Sequence, residues 1–255
     1  MKRISASSLL LWITLPLLSS LHARGQQEVL VAAAADLRFA MDSLITVFAK
    51  DNPGTTVRAS YGSSGNFFEQ ISAGAPFDLF FSADIEYPKQ LQQQNKTISP
   101  AVQYGRGQLV LWSKKLDPGA LKMQALLDPA IHKIAIANPV HAPYGARAEE
   151  TLHTYKLYEQ VKDKLVMGEN ISQAAQYVTS GAADIGIIAL SLARSPTMQQ
   201  QGGKYWLIPE NTHQPLLQGY TMLVHARNNQ GAKKFSDFIR SAAAQAVLKY
   251  FGLDP

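Results

Sequence analysis

The sequence predicts an α/β protein whose parallel sheets are covered by helices on both faces. Two observations carry that prediction. Short apolar runs rich in Val, Ile and Ala alternate along the whole chain with stretches whose apolar residues recur at i, i+3, i+4 and i+7. Between them stand Gly, Pro and Asn clusters that break regular structure, with no internal repeat and no low-complexity seam between two consecutive domains. Any two lobes are therefore expected to be interleaved by chain crossings.

The elements follow in order. Val29 to Ala33 reads as a first strand. Asp36 then reads as the N-cap of a helix carrying Leu37, Ala40, Met41, Leu44, Ile45 and Phe48 on one face. Asn52-Pro53-Gly54 ends that helix, and Thr55 to Tyr61 is a second strand. The Gly62-Ser63-Ser64-Gly65 turn opens a helix with Phe67, Phe68 and Ile71 inward, stopped by Gly74-Ala75-Pro76. Phe77 to Phe81 is a buried strand, and Asp84 caps a helix reaching about Gln94. Further strands are expected at Gln108–Trp112, Lys133–Ala137, Lys164–Met167, Asp184–Ile188, Tyr205–Ile208 and Tyr220–His225. Helices are expected at Tyr144–Tyr155, Ile171–Thr179, Leu190–Arg194, Ala232–Arg240 and Ala243–Phe251.

The first 25 residues read as an export leader. Lys2 and Arg3 precede the apolar run Leu9 to Leu18, and Ala23-Arg24-Gly25 forms a small-residue cleavage site. The run is shorter than the roughly 20 residues of a membrane-spanning helix, so a cleaved, soluble protein outside the cytoplasm is expected. Without Lys2, Arg3 and Arg24 the net charge of +5 falls to +2, from 21 basic and 19 acidic residues. The pairs Lys114-Lys115 and Lys233-Lys234 stand apart and form no stripe for nucleic acid. The chain has no cysteine, so an exported protein of this kind depends on burial rather than on disulfides.

Three strand-to-helix junctions share one chemistry: Ala33-Ala34-Ala35-Asp36, Gly62-Ser63-Ser64-Gly65 and Asn138 to Gly145. Small residues let a ligand approach the backbone, and the first N–H groups of a helix lack intrahelical partners. Those donors and the helix dipole favour an anion. In open α/β sheets ligands sit beyond the carboxyl ends of the strands, where all three junctions fall. Catalytic patterns are poor by comparison. The six histidines show no metal-ligand spacing, and no His-Glu-x-x-His, phosphate-binding lysine loop or Gly-x-Gly-x-x-Gly occurs. Gly62-Ser63-Ser64-Gly65-Asn66 lacks the last glycine of a nucleophile elbow.

The junction sequences themselves resemble those of the periplasmic molybdate-binding proteins. The resemblance rests on Val31-Ala32-Ala33-Ala34-Ala35-Asp36-Leu37, on Tyr61 to Asn66, and on Gly74-Ala75-Pro76-Phe77-Asp78-Leu79-Phe80-Phe81-Ser82-Ala83-Asp84. It continues through Ile136 to Pro139, Ala142-Pro143-Tyr144-Gly145, and Ser180 to Gly186, covering about Val29 to Gly252. It implies a type II periplasmic binding fold of two interleaved lobes joined by two crossing strands. The first lobe would hold 26–106 and 222–255, and the second 107–221. The implied ligand is molybdate or tungstate, held by the region of Ala35 and Asp36, the hydroxyl and amide of Ser64, and the amides of Tyr144 and Ile171. The family does this without a metal cation, a cofactor or a cationic side chain. The implied protein is a monomeric receptor, not an enzyme, that works with an inner-membrane ABC permease.

Two positions depart from familiar members of that family. Asp36 stands where they carry Ser or Asn, and its carboxylate is expected to turn onto its own helix as a cap. Ala189 replaces a tyrosine whose hydroxyl some members use. Asp36 keeps open a receptor for another anion, such as sulfate, phosphate or an organic acid. An exported hydrolase with Ser64 as nucleophile and His141 or His132 as base is a further alternative. The ligand-sensing half of a cytoplasmic regulator is disfavoured by the leader.

Overall fold

A computed structural model describes residues 27–254; the expected leader, 1–25, lies outside them. Ten strands form two five-stranded sheets. The first contains β1 (Gln27–Ala34), β2 (Thr55–Gly62), β3 (Leu79–Ser82), β4 (Val102–Gly107) and β10 (Leu216–Met222), in the order β2-β1-β3-β10-β4. The second contains β5 (Leu109–Ser113), β6 (Ile134–Ala137), β7 (Leu165–Gly168), β8 (Ile185–Ala189) and β9 (Lys204–Leu207), in the order β7-β6-β8-β5-β9.

Helices cover both sheets. In chain order they are α1 (Arg38–Asp51), α2 (Ser64–Ser72), α3 (Glu86–Gln93), α4 (Pro118–Leu121), α5 (Pro143–Thr154), α6 (Tyr158–Val161), α7 (Ile171–Ser180), α8 (Leu190–Ala193), α9 (Pro196–Gln200), α10 (Gln230–Ile239) and α11 (Ala242–Tyr250). The long ones fall where the apolar periodicity placed them, because their stripes bury Leu44 and Phe48 of α1, Phe67 and Ile71 of α2, and Phe235 and Ile239 of α10. Asp84, expected to cap α3, lies one residue ahead of the N-cap position, which is Ile85, and its Oδ1 accepts the Glu86 amide at 2.9 Å.

Neither sheet is wholly parallel. β1 runs parallel to β2 and β3, and β6 runs parallel to β7 and β8. β10 is antiparallel to β3 and β4, and β5 is antiparallel to β8 and β9. The antiparallel members flank the two places where the chain changes sheet, between Gly107 and Leu109 and again between Leu207 and Leu216. β10 thus starts at Leu216, inside the stretch to 221 expected in the second lobe. Its paired backbone lies with β3 and β4, and Val224–Asn228 beyond it is a 3₁₀ turn rather than more strand.

Two aspartates of the family-like motifs serve the scaffold. Asp78 accepts the Leu30 amide at 2.8 Å and the Asn229 side chain at 3.0 Å, fixing β1 against the C-terminal helices. Asp184 accepts the amides of His132 and Lys133 at 2.7 and 2.8 Å, fixing the entry to β6. The parallel strands β1, β2, β3 and β6, β7, β8 then present their carboxyl ends to one shared crevice, which β10 and β5 meet with their amino ends.

Candidate functional site

A small cavity, about 190 Å³ of space between atoms, lies where the two halves meet. The three expected junctions converge on it. Ala34 ends β1 and Ala35 and Asp36 follow it, Gly62 ends β2 and Ser63 and Ser64 follow it, and Ala142, Pro143 and Tyr144 come after β6. Ala83 and Ile171 complete the wall, so Ala35, Asp36, Ser64, Tyr144 and Ile171 all line one space. No Lys, Arg or His is in that lining. Among the described residues no group of three His, Cys, Asp or Glu is placed to hold a metal ion.

The helix starts explain the donors. α2, α5 and α7 begin at Ser64, Pro143 and Ile171, so their first amides have no carbonyl one turn back. Pro143 at the first position of α5 has no N–H, which makes Tyr144 the first donor there. Asn170 caps α7 through the Gln173 amide at 3.1 Å, which leaves the Ile171 amide at the wall. Glycine permits the close approach. A Cβ at Gly145 would stand 2.3 Å from the Ala137 carbonyl oxygen, and one at Gly65 would stand 2.7 Å from that of His141. The Gly65 amide donates to that same His141 carbonyl at 2.9 Å, so the halves touch directly beside the cavity.

The hydroxyl chemistry is divided between two neighbours. Ser64 is buried, and its Oγ accepts the Ala83 amide at 2.9 Å. That bond uses a lone pair and leaves the hydroxyl proton free to donate. Ser63 occupies the N-cap position of α2 but makes no capping bond, and its Oγ is buried without a partner. A buried hydroxyl is costly to leave unpaired, and this one faces the cavity. Sequence reasoning singled out Ser64 and missed Ser63, because a serine before a helix is ordinarily spent on capping.

Asp36 corrects an expectation. It lies inside a 3₁₀ turn, Ala35–Leu37, with Ala34 at the N-cap position and no side-chain capping bond. Its carboxyl reaches instead to Tyr144 in the other half of the molecule and to Gln218 on β10 of its own sheet. Oδ2 accepts the Tyr144 hydroxyl at 3.0 Å and the Gln218 amide nitrogen at 2.7 Å. Gln218 also donates to the Tyr144 oxygen at 2.9 Å. Oδ1 is buried without a partner. Burial lifts this carboxyl to about 6, opposed by the bonds from Gln218 and Tyr144 and by the nearby amides of Asp36 and Leu37. Burial and the Asp36 charge push the Tyr144 phenol well above its ordinary range, so it stays a neutral donor. Gly107 makes room for the cluster, since a Cβ there would stand 2.3 Å from the Tyr144 hydroxyl oxygen.

Further bonds tie the halves around the site. Ser172 donates to the Ala35 carbonyl at 3.2 Å, and Ser191 donates to that of Asp36 at 2.9 Å. A larger open cleft, about 1200 Å³ of space between atoms, shares Ala35 with the cavity and carries Arg38, Phe39 and Tyr61 on one side and Ser172 and Gln173 on the other. His141 and His132 are both exposed, and among the described residues neither ring is hydrogen-bonded to Ser64. The nucleophile–base pairing that hydrolysis requires is therefore not assembled here.

Fold and site together define a two-lobed receptor with a cavity suited to a small anion. Comparison with known proteins gives the class its family. Residues 29–254 match the family model described as bacterial extracellular solute-binding protein. The chain is 37% identical over 228 residues to the molybdate-binding protein ModA of Azotobacter vinelandii, covering 88% of this chain and 89% of that one. It is 33% identical to the ModA of Rhodobacter capsulatus over 88% of this chain and 87% of that one. The solved periplasmic molybdate-binding protein of Azotobacter vinelandii superposes with a TM-score of 0.82 at 30% identity, covering 89% of this chain and 99% of that one. The chain belongs to the bacterial extracellular solute-binding proteins, within their molybdate-binding branch.

Proposed function

We propose that this protein captures molybdate, and equally tungstate, outside the cytoplasm and delivers it to an ABC importer in the inner membrane. The observation that carries the reading is the cavity itself. Hydroxyls and first-turn amides converge there with no cationic side chain in the wall. A dianion loses a large hydration energy on burial. Fixed neutral donors replace that hydration, at roughly 1.5–3 kcal/mol for each hydrogen bond to a charged partner. Ala35, Asp36, Ser64, Tyr144 and Ile171 are the proposed contacts, with the Ser63 hydroxyl added to them.

Selectivity is proposed to follow from size. Sulfate has the same charge and tetrahedral shape as molybdate but is smaller, so a cavity closed between two lobes cannot bring all its donors into reach of it. The bonds that join the halves at Gly65, Ala35 and Asp36 support closure around the ligand. Capture rather than catalysis is the proposed activity, by a monomer with no cofactor. The names and location printed for the relatives support the ligand and the compartment proposed here. The test is thermal unfolding with each oxyanion. Molybdate and tungstate at 1,000 times Kd should stabilise the protein by about 4 kcal/mol, and sulfate and phosphate at equal concentration should do little. Equal protection by sulfate would remove the molybdate assignment.

A further inference from the structure

We propose that Asp36 is itself a ligand residue in its neutral form, with a proton on Oδ1 that it donates to the bound oxyanion, so that capture of the dianion takes up a proton from solution. This inference rests on the oxyanion reading above and adds a proton to it.

The arrangement of partners carries it. Asp36 is 1% exposed and stands in the cavity wall. Both side-chain hydrogen bonds it receives arrive at Oδ2, one from Tyr144 and one from Gln218, and the amides of Asp36 and Leu37 lie near the carboxyl as well. Two donors saturate the two lone pairs of a carbonyl-type oxygen, which is the oxygen a protonated acid keeps. The other oxygen, Oδ1, is buried with no partner. As an ionised oxygen it would face a dianion across a small cavity, with no cation in the wall to offset either charge. As a hydroxyl it supplies one more donor to the ligand.

The surroundings leave the proton as the available means of neutralisation. The ionisable groups that face Asp36 are the buried phenols of Tyr104 on β4 and Tyr144 on α5, neither of which can offer positive charge. α7 and α8 carry no charged residue. On α1, Arg38 lies over the Tyr61 ring and Asp42 accepts the Tyr61 hydroxyl. On α5, Arg147 lies between Asp84 and Glu150. On β2, Arg58 pairs with Glu28. Burial already places this carboxyl near the physiological range in the empty protein, and a bound dianion raises it further.

The experiment is calorimetric titration of the mature protein with sodium molybdate at pH 7.5, repeated in buffers of different ionisation enthalpy, with Kd followed from pH 5.5 to 8.5. Molybdate stays a dianion over that range. The proposal expects close to one proton taken up per molybdate bound, and an affinity that falls by up to tenfold per pH unit above about 6, the slope of one proton. Asp36→Asn, whose amide donates without titrating, should bind with no proton uptake and no such slope. Molybdate binding with no proton uptake and a flat pH profile in the parent would overturn the proposal while leaving the oxyanion reading intact. Failure of molybdate to bind at any pH would overturn that reading and this inference together. Because the decisive count is made on the parent protein, it holds even if the variant folds poorly.

Discussion

Two walls of one cavity are built from the same element, a strand running into a helix, and they solve opposite problems. After β2, Ser63 and Ser64 end the strand with hydroxyls that no helix amide uses, and the wall is a set of free donors. After β1, Ala35 and Asp36 put a carboxyl in the same kind of place. There the donors come from elsewhere, from Tyr144 on α5 and Gln218 on β10. The serine wall takes one bond from outside its turn, the Ala83 amide, whereas the aspartate wall takes both of its side-chain donors from α5 and β10. A junction with small residues and a free helix end is thus generic, and what its polar atoms are bonded to decides its role.

Ser64→Ala should show the largest effect. It removes a hydrogen bond to the ligand, worth roughly 1.5–3 kcal/mol or about 10- to 150-fold in Kd. It also strands the buried Ala83 amide, which should cost a further 1–3 kcal/mol or so of stability without ligand. Titration and unfolding of the same variant read the two losses separately, and full retention of both would mean that Ser64 bounds the cavity only sterically.

Asp36→Asn sharpens the contrast through pH. The folded carboxyl sits near 6 against an ordinary value of 3.8, so folding disfavours its ionised form. The associated stability is intact below about 3.8 and is lost as pH rises through about 6. A raised value of this size corresponds to at most about 3 kcal/mol. Asn escapes that loss, so its advantage in melting temperature over the parent should be near zero at pH 4 and greatest above pH 6.5. An advantage that does not change with pH would show that the carboxyl does not titrate in the folded protein.

Ser63→Ala should weaken molybdate binding by about 10-fold or more through one lost donor, yet hold or raise the melting temperature of the empty protein, because the buried hydroxyl it removes has no partner. No capping bond is lost and no amide is stranded, which separates it from its neighbour. Tyr144→Phe should give the smallest effect, about 1 kcal/mol of stability, because Gln218 still reaches Asp36. Its ligand contact is a backbone amide, so Kd should change little.

The junctions and the long helices were legible in the sequence because local chemistry sets them. Helix stripes follow the apolar period, and small residues mark close approach. The direction of β10 and β5 was not legible, since a continuous apolar strand looks the same run either way. Nor was β4: Val102-Gln103-Tyr104-Gly105-Arg106-Gly107 has two glycines and alternates weakly. The place of Asp36 failed for a related reason. Capping is a contact within three residues and can be read from spacing, but its actual partners lie 108 and 182 residues away. A buried glutamine inside the apolar run Leu216 to Met222 was the available signal, and only a fold could say what it faces.

The central claim is that neutral donors in a small cavity between two lobes hold a tetrahedral dianion chosen by size. Isothermal titration of the mature protein with molybdate, tungstate, sulfate and phosphate, at one pH and one ionic strength, tests it most directly. The account predicts one site that binds molybdate and tungstate with similar affinity, and sulfate at least about tenfold more weakly, in line with what small differences in ligand size can achieve. Sulfate or phosphate binding as tightly as molybdate, or binding of none of the four, would contradict it.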